Sequence, residues 1–294
     1  MRVFVTGATG WIGAALVPDL LAGGHDVVGL CRSEASAAAL VAAGGTPRRG
    51  SLEDLDELRA GADDADGVVH LGFIHDFTQY EAANQTDRNA IAAIGEVLAG
   101  SDRPFVVASG ATVSPSGGPA TEDDPPTPGH PRSEAAQLTV ALADRGVRSS
   151  VVRLPPTTHG EGDQGFIRML VDVARQHGAS DYVDDGRNRW CATHRTDAAR
   201  VFRSALEEST AGATWHAIAE EGIPTRTIAQ AIGRQLAVPT TAIPHADATE
   251  HFGWLGTVWS FDVPSTSDRT RRALRWEPTG PTLLEDLEAG HYLR

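Results

Sequence analysis

The chain of 294 residues contains no lysine; all 25 of its basic side chains are arginine. No step of its chemistry can rest on an ammonium side chain. Tyrosine is scarce as well, present only as Tyr80, Tyr182 and Tyr292. The two cysteines, Cys31 and Cys191, are far apart and lack the ligand spacing of a zinc site. They read as free thiols, with one disulfide the only other option, and no bound metal is expected. No apolar run approaches the roughly 20 residues that span a bilayer. The start, MRVFVTGATG, has neither the apolar region nor the small-residue cleavage site of a signal peptide. A cytoplasmic protein is expected. Positive charge is in deficit: 39 acidic side chains against the arginines give a net charge of −14. Nucleic acid and anionic membranes require a positive footprint, so neither is expected as a partner. A small-molecule substrate remains, and a homodimer stays open.

Glycine, by contrast, is concentrated near the start. VFVTGATGWIG (Val3 to Gly13) places Gly7, Gly10 and Gly13 three residues apart directly after an apolar run. Val3, Phe4 and Val5 in succession suit a strand buried on both faces. Ile12, Ala15, Leu16, Leu20 and Leu21 recur at helical spacing, ending at Gly23-Gly24. His25 to Leu30 reads as the second strand. The glycines therefore occupy a strand-to-helix turn. Gly7 permits the tight exit from the strand, Gly10 the close approach of a pyrophosphate, and Gly13 close helix–strand packing. The anion would rest on the helix N-terminus. The plain alternative is a glycine-rich turn without a ligand.

The spacing Thr6-Gly7-Ala8-Thr9-Gly10-Trp11-Ile12-Gly13 resembles the short-chain dehydrogenase/reductase superfamily, in its extended and atypical branches that include epimerases and dehydratases. The resemblance implies a Rossmann-like fold and a nicotinamide cofactor held by Thr6, Gly7, Thr9, Gly10, Trp11, Ile12 and Gly13. At the second strand's tip, Leu30-Cys31-Arg32-Ser33 offers no acid for a ribose hydroxyl. Arg32 and Ser33 suit the 2′-phosphate of NADP rather than NAD; the alternative leaves Arg32 in solvent and gives the ribose to Glu34. In the family an acid commonly stands where Ser51 is, beside Leu52, near the adenine. GVVHL (Gly67 to Leu71), followed by Gly72, matches the segment that lines the cofactor. Ser109 and Pro155 complete the expected cofactor contacts.

Strands and helices alternate to about residue 153, including a helix from Tyr80 to Leu98 and strands at Phe105 to Ala108 and Arg148 to Leu154. The fold expected is α/β: a Rossmann-like, doubly wound parallel sheet over residues 1–157, with a smaller substrate lobe in 158–294 from which segments return to the first domain. Between them Ser114 to Pro131 is rich in proline (Pro115, Pro119, Pro125, Pro126, Pro128, Pro131) and excludes regular structure. Such a loop is usually functional or mobile. Further on, helices are expected over Ser133 to Asp144, Thr196 to Glu207, and Ile223 to Leu236.

Most of the superfamily uses a YxxxK pair, which this chain lacks. In the family's register His130 falls at the tyrosine and Glu134 at the lysine. His130 reads either as a general acid or as an inert loop residue. Glu134 can accept hydrogen bonds from ribose hydroxyls. His75 is a rival proton donor, and Thr112 lies near the family serine, whose own position is Gly110. His159 stands where the family often has tyrosine. Trp190, His194, Trp254 and Trp259 line an apolar pocket or fill a core. The reading that results is an atypical NADPH-dependent reductase of a C=O, C=N or activated C=C bond. An epimerase/dehydratase and a non-catalytic NADP-binding sensor are the rivals.

Overall fold

The computed structural model describes residues 1–75, 79–129 and 131–293. Its first part alternates β1 (Arg2–Thr6), α1 (Gly13–Ala22), β2 (Asp26–Cys31), α2 (Glu34–Ala42), β3 (Thr46–Arg49), α3 (Leu55–Asp63), β4 (Gly67–His70), α4 (Tyr80–Leu98), β5 (Pro104–Gly110), α5 (Pro131–Ala141) and β6 (Arg148–Leu154). There follow β7 (Thr157–His159), α6 (Phe166–His177), β8 (Ser180–Val183), β9 (Arg189–His194), α7 (Arg195–Glu208), β10 (Ala213–His216), β11 (Glu220–Pro224), α8 (Thr225–Leu236) and β12 (Thr240–Ile243). The chain closes with α9 (Ala248–Phe252), α10 (Leu255–Trp259), α11 (Asp268–Ala273) and α12 (Leu283–Glu288).

Seven strands form one parallel sheet in the order β10-β6-β5-β4-β1-β2-β3. Val3, Phe4 and Val5 are wholly buried because β1 is covered on both faces. Residues of α1, α2 and α7 pack on one face, and those of α3, α4 and α5 on the other. Pro47 is tolerated in β3 because that strand is an edge. The strand order reverses at β1, with β2 on one side and β4 on the other, opening a crevice at their carboxyl ends. Helix α4 has the bounds that its apolar stripe predicts, with Ile91, Ile94 and Leu98 buried.

A second core gathers α6, α8, α9, α10 and α12 with β8, β9 and β11. At its centre Trp190 and Trp259 meet edge to face, ring centroids 4.7 Å apart. The helix expected from Ile223 starts at Thr225 instead. Ile223 and Pro224 pair with β9 as strand, and Pro224 keeps extended backbone at φ −55°, ψ 132°. Within residues 195–216 the chain returns to the large sheet: Val201, Phe202 and Ala205 of α7 join the core of α1, and β10 pairs with β6.

The proline-rich segment is stitched down by side chains from β6, β10 and α11. Arg153 donates to the Asp124 carbonyl at 2.9 Å, and the buried Glu122 carboxylate accepts from the Thr270 amide and hydroxyl, each at 2.7 Å. Wholly buried His216 completes this cluster. Its Nδ1–H donates to the Thr266 carbonyl at 2.7 Å, leaving Nε2 to accept from Arg153 at 3.3 Å. Burial first, and the Arg153 and Arg269 charges after it, bring its pKa down to about 4. The unfolded chain binds a proton here below about 6.5 and the folded one does not, so acid favours unfolding. Stability should fall by on the order of 3 kcal/mol between about pH 6.5 and 4 from this residue. Chemical denaturation of the wild type and of His216→Gln across that range measures it. An equal slope in both proteins would remove His216 as the cause.

Candidate active site

The glycine turn closes on itself and on the neighbouring strand. Gly7 has φ +67°, and a Cβ there would lie 2.8 Å from the Gly72 amide nitrogen. Only glycine lets the ends of β1 and β4 approach this closely. A Cβ on Gly13 would fall 2.1 Å from the Gly7 carbonyl oxygen. Gly13 thus serves the packing of α1 on the turn, where the sequence suggested packing on the strand. Thr9 and Gly10 are exposed. The amides of Trp11 and Ile12 donate to no group among the described residues, at the positive end of α1. Free amides at a helix N-terminus fit an anion such as a dinucleotide's diphosphate. The buried Ile12 anchors the turn in the core, while the Trp11 indole reaches away and donates to the Thr158 carbonyl at 2.7 Å.

At the tip of β2, Arg32 is exposed and has no ion pair or hydrogen bond among the described residues. Ser33 is the N-cap of α2: its hydroxyl accepts from the Ser36 amide at 3.1 Å, and the Ser36 hydroxyl closes a capping box. Glu34 is held by Arg49 at 3.3 Å. Half-buried Ser51 accepts from the Glu53 amide, and Leu52 packs on Gly72, where a Cβ would meet it at 2.9 Å.

Between these ends lies a buried polar chain that the sequence reading missed. The Thr6 hydroxyl accepts from the Gly72 amide at 3.0 Å and donates to His70 Nδ1 at 2.8 Å. His70 Nε2–H then donates to Asp87 at 3.1 Å, and the other Asp87 oxygen accepts from Arg132, also at 3.1 Å. Arg132 donates further to the Ala108 carbonyl at 2.8 Å and lies 4.3 Å over the Phe73 ring. Asp87 is only 1% exposed. Its apolar neighbours Ala90 and Ile91 on α4 gave the one available signal, a carboxylate on a buried stripe.

The other expected residues divide. Leu71 follows β4 and donates its amide to the Thr6 carbonyl at 3.2 Å, and Pro155 is buried directly after β6. Ser109 is buried near the end of β5, and Gly110 opens onto free space. His75 lies beside Phe73, centroids 5.3 Å apart. Thr112 instead holds the proline-rich segment, donating to the Pro125 carbonyl at 3.0 Å with Thr127 at 2.9 Å. Glu134 pairs with Arg88 at 3.0 Å and is 65% exposed, so its carboxylate already has a partner on α4. His159 is wholly buried with Nδ1 2.6 Å from Asp286, which shuts it off from any substrate. Trp190 and Trp259 fill the second core, while Trp254 is exposed beside Phe166. His194 caps α7, paired with Thr196 at 2.7 Å. His130 lies outside the described residues. Among those described, no cluster of His, Cys, Asp or Glu suits a metal ion, both cysteines are free and buried, and no helix is long and apolar enough to cross a membrane.

The family model of the NAD dependent epimerase/dehydratase family matches residues 3–218, from β1 through the edge strand β10. The chain belongs to that family. The uncharacterized protein C2A9.02 of Schizosaccharomyces pombe is 49% identical over 99% of this chain and 100% of its own length. A 3-diazoavenalumate denitrifying reductase of Streptomyces is 29% identical over 98% of this chain and 99% of its own. The dTDP-glucose 4,6-dehydratase of Streptomyces venezuelae, solved with NAD bound, shares the fold at a TM-score of 0.76, with 19% identity over 98% of this chain and 96% of that one. Its seven-stranded parallel sheet is the Rossmann-like, NAD(P)-dependent oxidoreductase-like fold of that family.

Asp87→Ala should strand both His70 and the Arg132 charge. Removing one partner of a buried pair typically costs about 3–5 kcal/mol. Equilibrium unfolding in urea reads the loss directly. A change below about 1 kcal/mol, the scale of an exposed pair, would show that the chain of bonds does not hold the crevice.

Proposed function

We propose that the protein is an NADP(H)-dependent reductase that adds hydride to a C=O, C=N or activated C=C bond of a small, fairly apolar molecule. The observation that carries the cofactor choice is the tip of β2. Arg32 stands there exposed and unpaired among the described residues, and the acid nearest in sequence, Glu34, is engaged by Arg49. An unpaired guanidinium suits a 2′-phosphate; a 2′-hydroxyl calls for a free carboxylate. Full-length likeness to a protein named as a reductase supports the direction of the reaction.

When bound, a reduced nicotinamide supplies the hydride. The chain's own part is to orient the reactants and to govern the proton. Arg132 is neutralised by Asp87 and fixes Phe73, so the crevice wall offers an apolar ring rather than a loose charge. Burial first, and the Arg132 charge second, hold the His75 pKa below its usual value. The shift favours the neutral imidazole. Its N–H is engaged by the Phe73 backbone, so the neutral ring stores no proton for a substrate oxygen or nitrogen. The proton that completes the reduction comes from water or from the substrate's own group. Imines and conjugated alkenes suit that arrangement better than simple ketones.

Titration with NADPH and NADH, read by tryptophan quenching, tests the reading. NADPH should bind more tightly. Arg32→Ala should weaken it by about 10- to 100-fold, the worth of one charged contact, and leave NADH nearly unchanged. Preference for NADH would return the epimerase reading. Tight binding with no NADPH consumed across a panel of carbonyls, imines and enones would make the protein a sensor.

A further inference from the structure

Arg195 opens α7, and its guanidinium lies 4.5 Å over the Trp11 ring of the glycine turn. Of the other arginines stacked on rings, Arg132, Arg269 and Arg271 also pair with carboxylates. Arg195 is half-buried, yet no described residue gives it a carboxylate or a hydrogen-bond acceptor. A guanidinium carries five N–H donors in a fixed fork, so withdrawing it from water without an acceptor is costly. Its location adds to the cost, since the first turn of a helix disfavours a cation.

The surroundings hold it there all the same. The Trp11 indole beneath it is fixed by the hydrogen bond to Thr158. The stem passes over Gly160, where a Cβ would meet Arg195 Cγ and Cδ at 3.4 Å. The indole that Arg195 covers belongs to the residue whose own backbone amide, with that of Ile12, donates to no described residue. An unpaired guanidinium and two free amides thus meet at one tryptophan, and a diphosphate carries oxygens enough to serve both.

We infer that Arg195 is the side-chain ligand of the dinucleotide's diphosphate, clamping it against the glycine turn from the α7 side. This rests on the turn being a dinucleotide site and is independent of the choice between NADP and NAD. The substrate stays free of this charge, because the clamp answers a part of the cofactor remote from the reacting carbon.

The test is calorimetric binding of NADPH, NADH and adenosine 2′-monophosphate to the wild type, Arg195→Met and Arg195→Lys. The clamp predicts that Arg195→Met weakens both dinucleotides by about 10- to 100-fold. It should flatten their salt dependence and leave adenosine 2′-monophosphate, which has no diphosphate, unaffected. Arg195→Lys should recover part of the affinity, because a lysine still presents a point charge to phosphate. Unchanged melting temperatures exclude general damage. If Arg195→Met weakens NADH and NADPH alike while the wild type prefers NADH, the clamp stands and the NADP reading falls. If the wild type prefers NADPH and Arg195→Met binds it normally, the clamp falls alone. A raised KM for an acidic substrate with intact dinucleotide binding would reassign Arg195 to the substrate. A wild type that binds neither dinucleotide overturns both readings.

Discussion

The hydroxyl of Thr6 is the contact on which the crevice depends. It accepts from the Gly72 amide and donates to His70 Nδ1, joining the ends of β1 and β4 where the sheet order reverses. Because the Asp87 carboxylate can only accept, His70 carries its proton on Nε2 and leaves Nδ1 to accept from Thr6. Asp87 is then left one free oxygen, which Arg132 fills. One chain of bonds thereby joins a hydroxyl, an imidazole, a carboxylate and a guanidinium on four different elements. Gly7 is the steric counterpart of this bond, because any side chain there would separate the two strand ends that Thr6 ties.

The absence of lysine is met by using arginine as a structural fork. Arg103 donates to the carbonyls of Ala62, Ala65 and Val97 at 2.8, 2.7 and 3.2 Å, tying the ends of α3 and α4 to the start of β5. Arg153 does the same for the proline-rich segment. A compact ammonium with three rotatable donors lacks the planar reach to satisfy carbonyls on two sides at once. Most of the buried or half-buried arginines are consumed in this way, which is why the unconsumed ones at the crevice stand out.

What the sequence made legible was local. The glycine turn and the bounds of α4 are set by residues within a few positions of one another. The helix start at Thr225 was hidden because Ile223 is claimed by pairing with Trp190, a tertiary demand that outweighs its helical periodicity. The site side chains were harder for the same reason. His159 belongs to Asp286, 127 residues away, and Thr6 to His70, 64 residues away. Glu134 stands at a position a family register marks as catalytic, and Thr112 lies near another. Which neighbour each hydroxyl or carboxylate bonds is decided by the packing of the proline-rich segment and of α4, and neither carries a sequence pattern of its own.

Charge along the crevice is uneven in a way that bears on what it holds. At the end near His75 and Phe73, Arg132 is paired with Asp87, and desolvation followed by the Arg132 charge lowers the His75 pKa. Around the glycine turn and the β2 tip, Arg195 and Arg32 are uncancelled among the described residues, in a chain whose net charge is −14. A uniformly acidic surface would repel an anionic dinucleotide at every point. On the proposed reading these two arginines confine attraction to the stretch that would take a dinucleotide's phosphates, away from the Arg132 that Asp87 pairs.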